Sequence, residues 1–355
     1  TNATMVDSDG LLKWRPHNIL RYSEDLTNAN WVKQVSATVD ANVSAAPDGS
    51  MTASRLTFGG SFSNLRQFGA AVTGVTATTK VWIKLESGNA NLAFGISSSQ
   101  FDVITVTSEW VEYSTTDTEN AASGKGFILQ DRNSSGFGSV LIWQPQSFRS
   151  DLGGMVNNPD AATGFESYVP TTTTPVYLSR RGHHIYNGTA WVNEGILHES
   201  EARTNLLSYS NGFAASWAKT NLTATANQAT GPDGTVSATE IGITSTAASS
   251  YAIKNATNTS GTLSYFAKQN TERFFLIIRG IYSMGDWAIF DLSTGTVSKS
   301  PTFTDSSAHM VPMGNGWYRC VLQSAQASTV NAFSISGSGT DNNTVTSGTV
   351  YLWGA

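Results

Sequence analysis

Cysteine is almost missing. Cys320 stands alone in 355 residues, so no disulfide can form within the chain and stability must come from packing. It lies in the apolar run Trp317–Leu322, the setting of a buried, inert thiol. Charge is scarce as well: Asp, Glu, Lys and Arg make up 13% of the chain, and the formal net charge is -5. That leaves no basic footprint for nucleic acid, and it argues against anionic membrane surfaces. No run approaches the roughly 18 apolar residues of a membrane-spanning helix, so membrane insertion is not expected. No signal peptide is visible either. Low charge would suit a disordered linker, but 10 Trp, 11 Tyr and 16 Phe argue for packed cores.

What the chain has in plenty is Thr, Ser, Asn and Gly, arranged in a long repeat. Asn18-Ile19-Leu20-Arg21-Tyr22-Ser23, Trp31 and Pro47-Asp48-Gly49 return as Asn205-Leu206-Leu207-Ser208-Tyr209-Ser210, Trp217 and Pro232-Asp233-Gly234. Val81-Trp82-Ile83-Lys84 answers to Tyr265-Phe266-Ala267-Lys268, Trp110-Val111-Glu112 to Trp317-Tyr318-Arg319, and Val140–Trp143 to Val350–Trp353. Collinear matches at this spacing mean two tandem domains, since solenoid repeats run about 20–50 residues.

Between these landmarks lie short apolar or alternating segments: Ala53–Phe58, Lys80–Leu85, Asn91–Ile96, Trp110–Ser114 and Ser139–Trp143 in the first copy. Ala238–Ile243, Leu263–Ala267, Phe274–Arg279, Trp287–Leu292 and Trp317–Leu322 follow in the second. Gly, Ser, Asn and Asp separate them, and no window of ten residues keeps a helical period. The class is all-β, sandwich or barrel. One helical turn, capped by Ser23, is expected over residues 22–26. Residues 1–17 read as a lead-in hairpin around Asp7-Ser8-Asp9-Gly10, which has turn chemistry and lacks the further ligands of a calcium loop. Residues 172–204 read as a linker followed by a second hairpin, with strands over Val176–Leu178, His183–Tyr186 and Ala190–Val192 around Asn187-Gly188. The domains are therefore 18–171 and 205–355.

The residues Asn205–Ser210, Ala229–Thr235, Phe290–Gly295, Asn315–Arg319 and Tyr351–Ala355 resemble carbohydrate-binding-module-like domains of phage tail or head fibres and spikes, including spike proteins of gene transfer agents. That resemblance implies two tandem jelly-roll β-sandwiches, each preceded by a short β-hairpin. It implies a virion location, with host cell-surface polysaccharide and other virion proteins as partners and homo-oligomer assembly. The family's closing Ser-Tyr-Ile/Val-Pro-Thr segment is present in the first copy as Ser167–Thr171. The second copy stops before its counterpart, so its C-terminal tail is expected to be truncated. Two other readings stay open: a glycan-binding accessory region of a secreted bacterial enzyme, and an architectural collar without ligand.

No enzyme is expected. Glu194, Glu199 and Glu201 cluster in sequence, as Asp102 and Glu109 do more loosely, but none recurs between copies as the paired carboxylates of a glycosidase would. His183-His184 with His198 does not make a zinc set, because adjacent strand residues face opposite ways. No cofactor is expected; a structural calcium ion is compatible with such sandwiches, with no ligands nominated. Sugar binding needs rings for stacking and amides or Arg for hydroxyls. Trp31, Trp110, Trp217 and Trp317 recur and are assigned to core positions. Arg279, Tyr282 and Trp287 flank a Ser-Met-Gly-Asp turn in the second copy and show no aromatic match in the first, so they are the carbohydrate-binding candidates.

Overall fold

The computed structural model describes residues 3–69, 75–118, 126–132, 138–198, 205–245, 250–280, 285–299, 301, 303–339 and 347–355. Strands take 56% of the chain and helix 1%, as the short apolar segments between turns require. Two compact units divide it: Thr1–Met5 with Lys13–Arg181, and Val6–Leu12 with Gly182–Ala355.

The first unit is a sandwich of two five-stranded antiparallel sheets. Its strands are β1 (Val32–Gln34), β2 (Thr38–Ser44), β3 (Ala53–Thr57), β4 (Asn64–Phe68), β5 (Thr76–Ser87), β6 (Asn91–Gly95), β7 (Phe101–Thr105), β8 (Val111–Thr118), β9 (Gly126–Asp131) and β10 (Ser139–Arg149). One sheet has the order β7-β6-β9-β4-β1 and the other β8-β5-β10-β3-β2. Consecutive strands alternate between layers through much of this order, which gives the jelly-roll arrangement. Alternation along each strand sends Leu65, Val81, Ile83, Phe94, Phe127 and Leu129 inward around Trp31, all of them almost fully buried.

The second unit repeats that order, with two of its strands much longer: β11 (Ala218–Thr220), β12 (Leu222–Thr230), β13 (Val236–Ile243), β14 (Tyr251–Gln269), β15 (Phe274–Arg279), β16 (Asp286–Asp291), β17 (Thr296–Lys299), β18 (Ser307–Pro312), β19 (Trp317–Ser336) and β20 (Thr349–Trp353). Strands β14 and β19 each serve both layers. Their halves give β16-β15-β19-β14-β11 in one layer and β19-β14-β20-β13-β12 in the other. Register shifts in the middle of β14 and β19, between Asn255 and Gly261, turn the corner between layers. Strands β17 and β18 are additions without a first-copy partner.

The duplication reaches individual hydrogen bonds. Trp31 Nε1 donates to the Tyr22 carbonyl at 2.9 Å, and Trp217 Nε1 donates to the Tyr209 carbonyl at 3.3 Å. Trp143 Nε1 donates to Thr52 Oγ1 at 3.0 Å, as Trp353 Nε1 does to Ser237 Oγ at 2.9 Å. Trp31 and Trp217 are core residues, as expected. Trp110 is not: it is half-buried on the outer face of the β5 sheet, with Trp82, Trp143 and Phe165. Its neighbour Val111 pairs with the inward Ile83, so strand alternation turns Trp110 out.

Two local expectations are corrected. Residues 22–26 form turns, with Tyr22 at φ +50°, and Ser23 caps no helix. Its hydroxyl lies 2.8 Å from the Tyr168 hydroxyl and accepts the Thr171 N–H at 2.9 Å, so the closing segment claims it. The helical turn occurs in the second copy alone, as α1 (Phe213–Ser216). Val176–Tyr177 belongs to no second hairpin; it pairs with His17–Asn18 of the first unit. His17 explains why. Its imidazole is buried, bonded to the Arg15 carbonyl and the Arg149 N–H, and stacked on Tyr177 at 5.3 Å.

The second hairpin consists of Arg181–Tyr186 and Trp191–Ile196. In the lead-in, Asp7 Oδ1 accepts the N–H groups of Asp9 and Leu11, the turn anticipated. Gly10 there has φ +78°, and a Cβ on it would lie 2.2 Å from the Trp191 ring, so only glycine fits.

Candidate functional site

The outer face of the β7-β6-β9-β4-β1 sheet carries rings, guanidinium groups and amides. Register places Phe101, Gly95, Ile128, Arg66 and Val32 in one row across the strands, and Val103, Ala93, Gln130, Asn64 and Gln34 in the next. On β6 the residues of this face are small. The exposed Arg132 is 4.6 Å from the Phe101 ring centre and 5.5 Å from that of Phe62. Arg66 lies 5.4 Å from the Phe68 ring.

Phe62 is the anomalous residue of this face. It is 51% exposed and sits at φ +64°, a left-handed conformation that bulky side chains rarely adopt. Two amides hold it there: Asn64 Nδ2 and Gln130 Nε2 both donate to the Phe62 carbonyl, at 2.8 and 3.2 Å. Such conformations cost on the order of 1–3 kcal/mol and persist where the surroundings over-determine them. Here the outcome is an aromatic ring presented to solvent beside a guanidinium. The face can stack a pyranose on its rings and direct Arg132 and Arg66 toward hydroxyls or carboxylates.

The second copy places Trp287, Ile278, Ala332, Ile253 and Ala218 in the row that matches Phe101–Val32. Trp287 therefore has an aromatic counterpart in Phe101, which alignment of turns alone did not expose. The next row holds Ile289, Leu276 and Ser334. Leu276, Ile278 and Ile289 are wholly buried there, and the half-buried Trp287 packs against them.

Arg279 is 6% exposed and donates from Nη1 to Asn331 Oδ1 at 2.7 Å and from Nη2 to the Ser328 carbonyl at 3.3 Å. Burial makes this guanidinium a stronger acid than usual. Adjacent to Ile278 in β15, it faces the opposite side of the sheet from Trp287. The structure thus does not bring Arg279 and Trp287 to one surface, and Tyr282 lies outside the described residues. Sequence reasoning missed Phe62, Phe101 and Arg132. The available signal was a Phe on each side of polar turns in the first copy, but only strand register unites them.

The other sequence candidates are dispersed. Asp102 accepts the Thr115 hydroxyl at 2.6 Å. His183 Nδ1 accepts the Val6 N–H, and His184 Nδ1 bonds the Gly182 carbonyl. Glu194 is exposed, while Glu199 and Glu201 lie outside the described residues. Among the described residues no three His, Cys, Asp or Glu side chains gather where they could hold a metal ion.

The first unit also has a cleft of about 480 Å³ beside β2, β3 and β10, with Trp143 and Tyr168 among its walls.

No protein-family model matches the sequence, and no curated protein matches it significantly. Solved structures of similar fold do exist. The tandem CBM22-1–CBM22-2 domain of Paenibacillus barcinonensis Xyn10C aligns over 95% of this chain and 96% of that one, with 12% identity and a TM-score of 0.32. Its single CBM22-1 xylan-binding domain aligns over 38% of this chain and 96% of that one, at 17% identity and TM-score 0.30. The enzymatically active domain of tailspike protein 4 from bacteriophage CBA120 aligns over 37% of this chain, at 15% identity and TM-score 0.28. The alignment spans about a fifth, 21%, of that solved domain's length. These likenesses concern fold alone.

Proposed function

We propose that this chain is a non-enzymatic part of a phage virion appendage, a fibre or spike, whose first sandwich contacts host-surface polysaccharide. The observation that carries the glycan reading is Phe62: a strained, exposed ring pinned by two amides, beside Arg132 and Phe101. Preorganised rings next to hydrogen-bonding groups are what a largely preformed sugar site needs. Two guanidinium groups, Arg66 and Arg132, favour a polysaccharide that carries carboxylates. Among the described residues, the two rows and Arg132 include no Asp or Glu, so the face offers no carboxylate pair for hydrolysis. The virion setting rests on the sequence resemblance to phage fibre and spike domains, and with it come other virion proteins as neighbours and assembly as a homo-oligomer.

The test is binding of the purified chain to uronate-containing capsule polysaccharide against a neutral glucan, with Phe101→Ala and Arg132→Ala as variants. Uronate binding that both substitutions weaken, without release of reducing sugar, is the expected result. Binding unchanged by either substitution removes the sheet face from the reading, and sugar release removes the non-enzymatic part.

A further inference from the structure

The cleft of the first unit is built differently from the sheet face. Its volume is about 480 Å³, within the range of small-ligand sites. A ladder of hydrogen bonds fixes one wall: Trp143 Nε1 donates to Thr52 Oγ1, Thr52 Oγ1 and Ser50 Oγ are 2.6 Å apart, and Ser50 Oγ donates to Asp48 Oδ1 at 2.6 Å. Tyr168 also lines the cleft, and its hydroxyl is bonded to that of Ser23. Hydroxyls locked in this way are preorganised for a polar guest.

Two β-bulges shape the cleft. In β2 the register shifts between Asp40 and Ser44, and Asn42 between them has φ +56°. In β10 it shifts between Trp143 and Gln146, and Gln144 has φ +50°. Bulges re-aim side chains, and both of these amides line the cleft. The second copy keeps the first bulge, with Asn227 at φ +58°, but has Gly354 at φ +55° where the first has Gln144. Glycine is the low-strain choice at that conformation, so glutamine is retained in the first copy at a cost. The equivalents of Glu24 and Asp48 differ too. Asn211 Oδ1 accepts the Gly354 N–H, and Asp233 is 5% exposed, whereas Glu24 and Asp48 are both exposed.

We propose that this cleft is a second ligand site, specific to the first copy, that holds one neutral sugar unit. Each amide offers a donor and an acceptor to a hydroxyl, and the carboxylates accept hydroxyls only. Glu24 and Asp48 also repel uronates and phosphates, the reverse of the preference of the arginine-bearing sheet face. The site stands independently of that face, and either can fail without the other.

Saturation-transfer NMR on the full chain tests it, with methyl glucoside and N-acetylglucosamine as neutral probes and glucuronate as the anionic one. Gln144→Gly installs the second copy's residue and relieves strain, so the variant folds; its melting temperature should stay or rise. Neutral-sugar affinity should fall roughly three- to tenfold, the loss of about one hydrogen bond. Asn42→Gly should act likewise. Transfer to no neutral probe overturns the proposal. So does neutral binding that Gln144→Gly leaves intact, or glucuronate binding that Gln144→Gly weakens as much.

Discussion

The same sheet face carries small and polar side chains in one sandwich and large apolar ones in the other. Phe101, Gly95, Ala93 and Arg66 of the first copy stand where the second has Trp287, Ile278, Leu276 and Ile253. An arginine and two of the smallest residues have become branched or long apolar side chains, of which Leu276 and Ile278 are wholly buried and Ile253 and Trp287 partly so. Inner-face positions stay apolar in both copies: each core packs aliphatic and aromatic residues around a tryptophan, with more rings in the second. Duplication thus preserved what the fold needs and released what it does not. A ring near a turn carries no information about binding until the residues beside it across the sheet are known.

The largest effect should come from the aromatic cluster that distinguishes the second core. Phe333 lies 5.4–5.5 Å from Phe213, Trp217 and Tyr265, ring centre to ring centre. Phe333→Ala should cost roughly 3–5 kcal/mol in denaturant unfolding, by lost transfer energy plus cavity. The first copy has Leu129 at the matching register position, and Leu129→Ala should cost about 2–5 kcal/mol. A negligible loss in either would mean that the two cores are not the equivalent organisers that their strand order implies.

Acid should separate the units next. Burial pushes the His17 pKa down from 6.5 to about 4, because the charged ring would be desolvated. The unfolded chain then binds the proton first, so stability falls as pH drops through 6.5 and levels off near 4. The full loss is roughly 3 kcal/mol. Thr204 occupies the matching place in the second copy's sequence, so this contribution belongs to the first. Urea unfolding at pH 7 and pH 4.5 should show the drop, and His17→Gln should remove much of the pH dependence. An unchanged pH profile in the variant would relocate the effect.

Smaller and more diagnostic is the pair Trp287→Ala and Phe101→Ala. The first should lower stability by about 1.5–3 kcal/mol, because its ring covers buried apolar neighbours. The second should change melting little and weaken acidic-glycan binding. The reverse pattern would return the site to the second copy.

Smallest of all, Trp143→Phe and Trp353→Phe should each cost about 1 kcal/mol, one hydrogen bond to the equivalent hydroxyls of Thr52 and Ser237. Equal melting shifts would confirm the symmetry at the level of single bonds; an effect in one copy alone would limit it to the backbone.

Repetition, class and turn chemistry were legible in the sequence because each is local or periodic. The matches from Asn18 to Asn205 and from Trp143 to Trp353 needed only spacing, and the polar turns between short apolar segments needed only composition. Asp7 fixed its turn through its own neighbours within four residues. Tertiary structure decided the rest, because it depends on partners remote in sequence. Ser23 looked like a helix cap until Tyr168 and Thr171 claimed its hydroxyl from 145 and 148 residues away. Arg279 and Trp287 looked like neighbours around one turn, yet strand alternation puts them on opposite sides of a sheet. Phe62, Phe101 and Arg132 are scattered over 70 residues and meet only through register across β4, β9, β6 and β7. Local pattern determines which segments become strands; which side chains share a face is settled only when the strands pair.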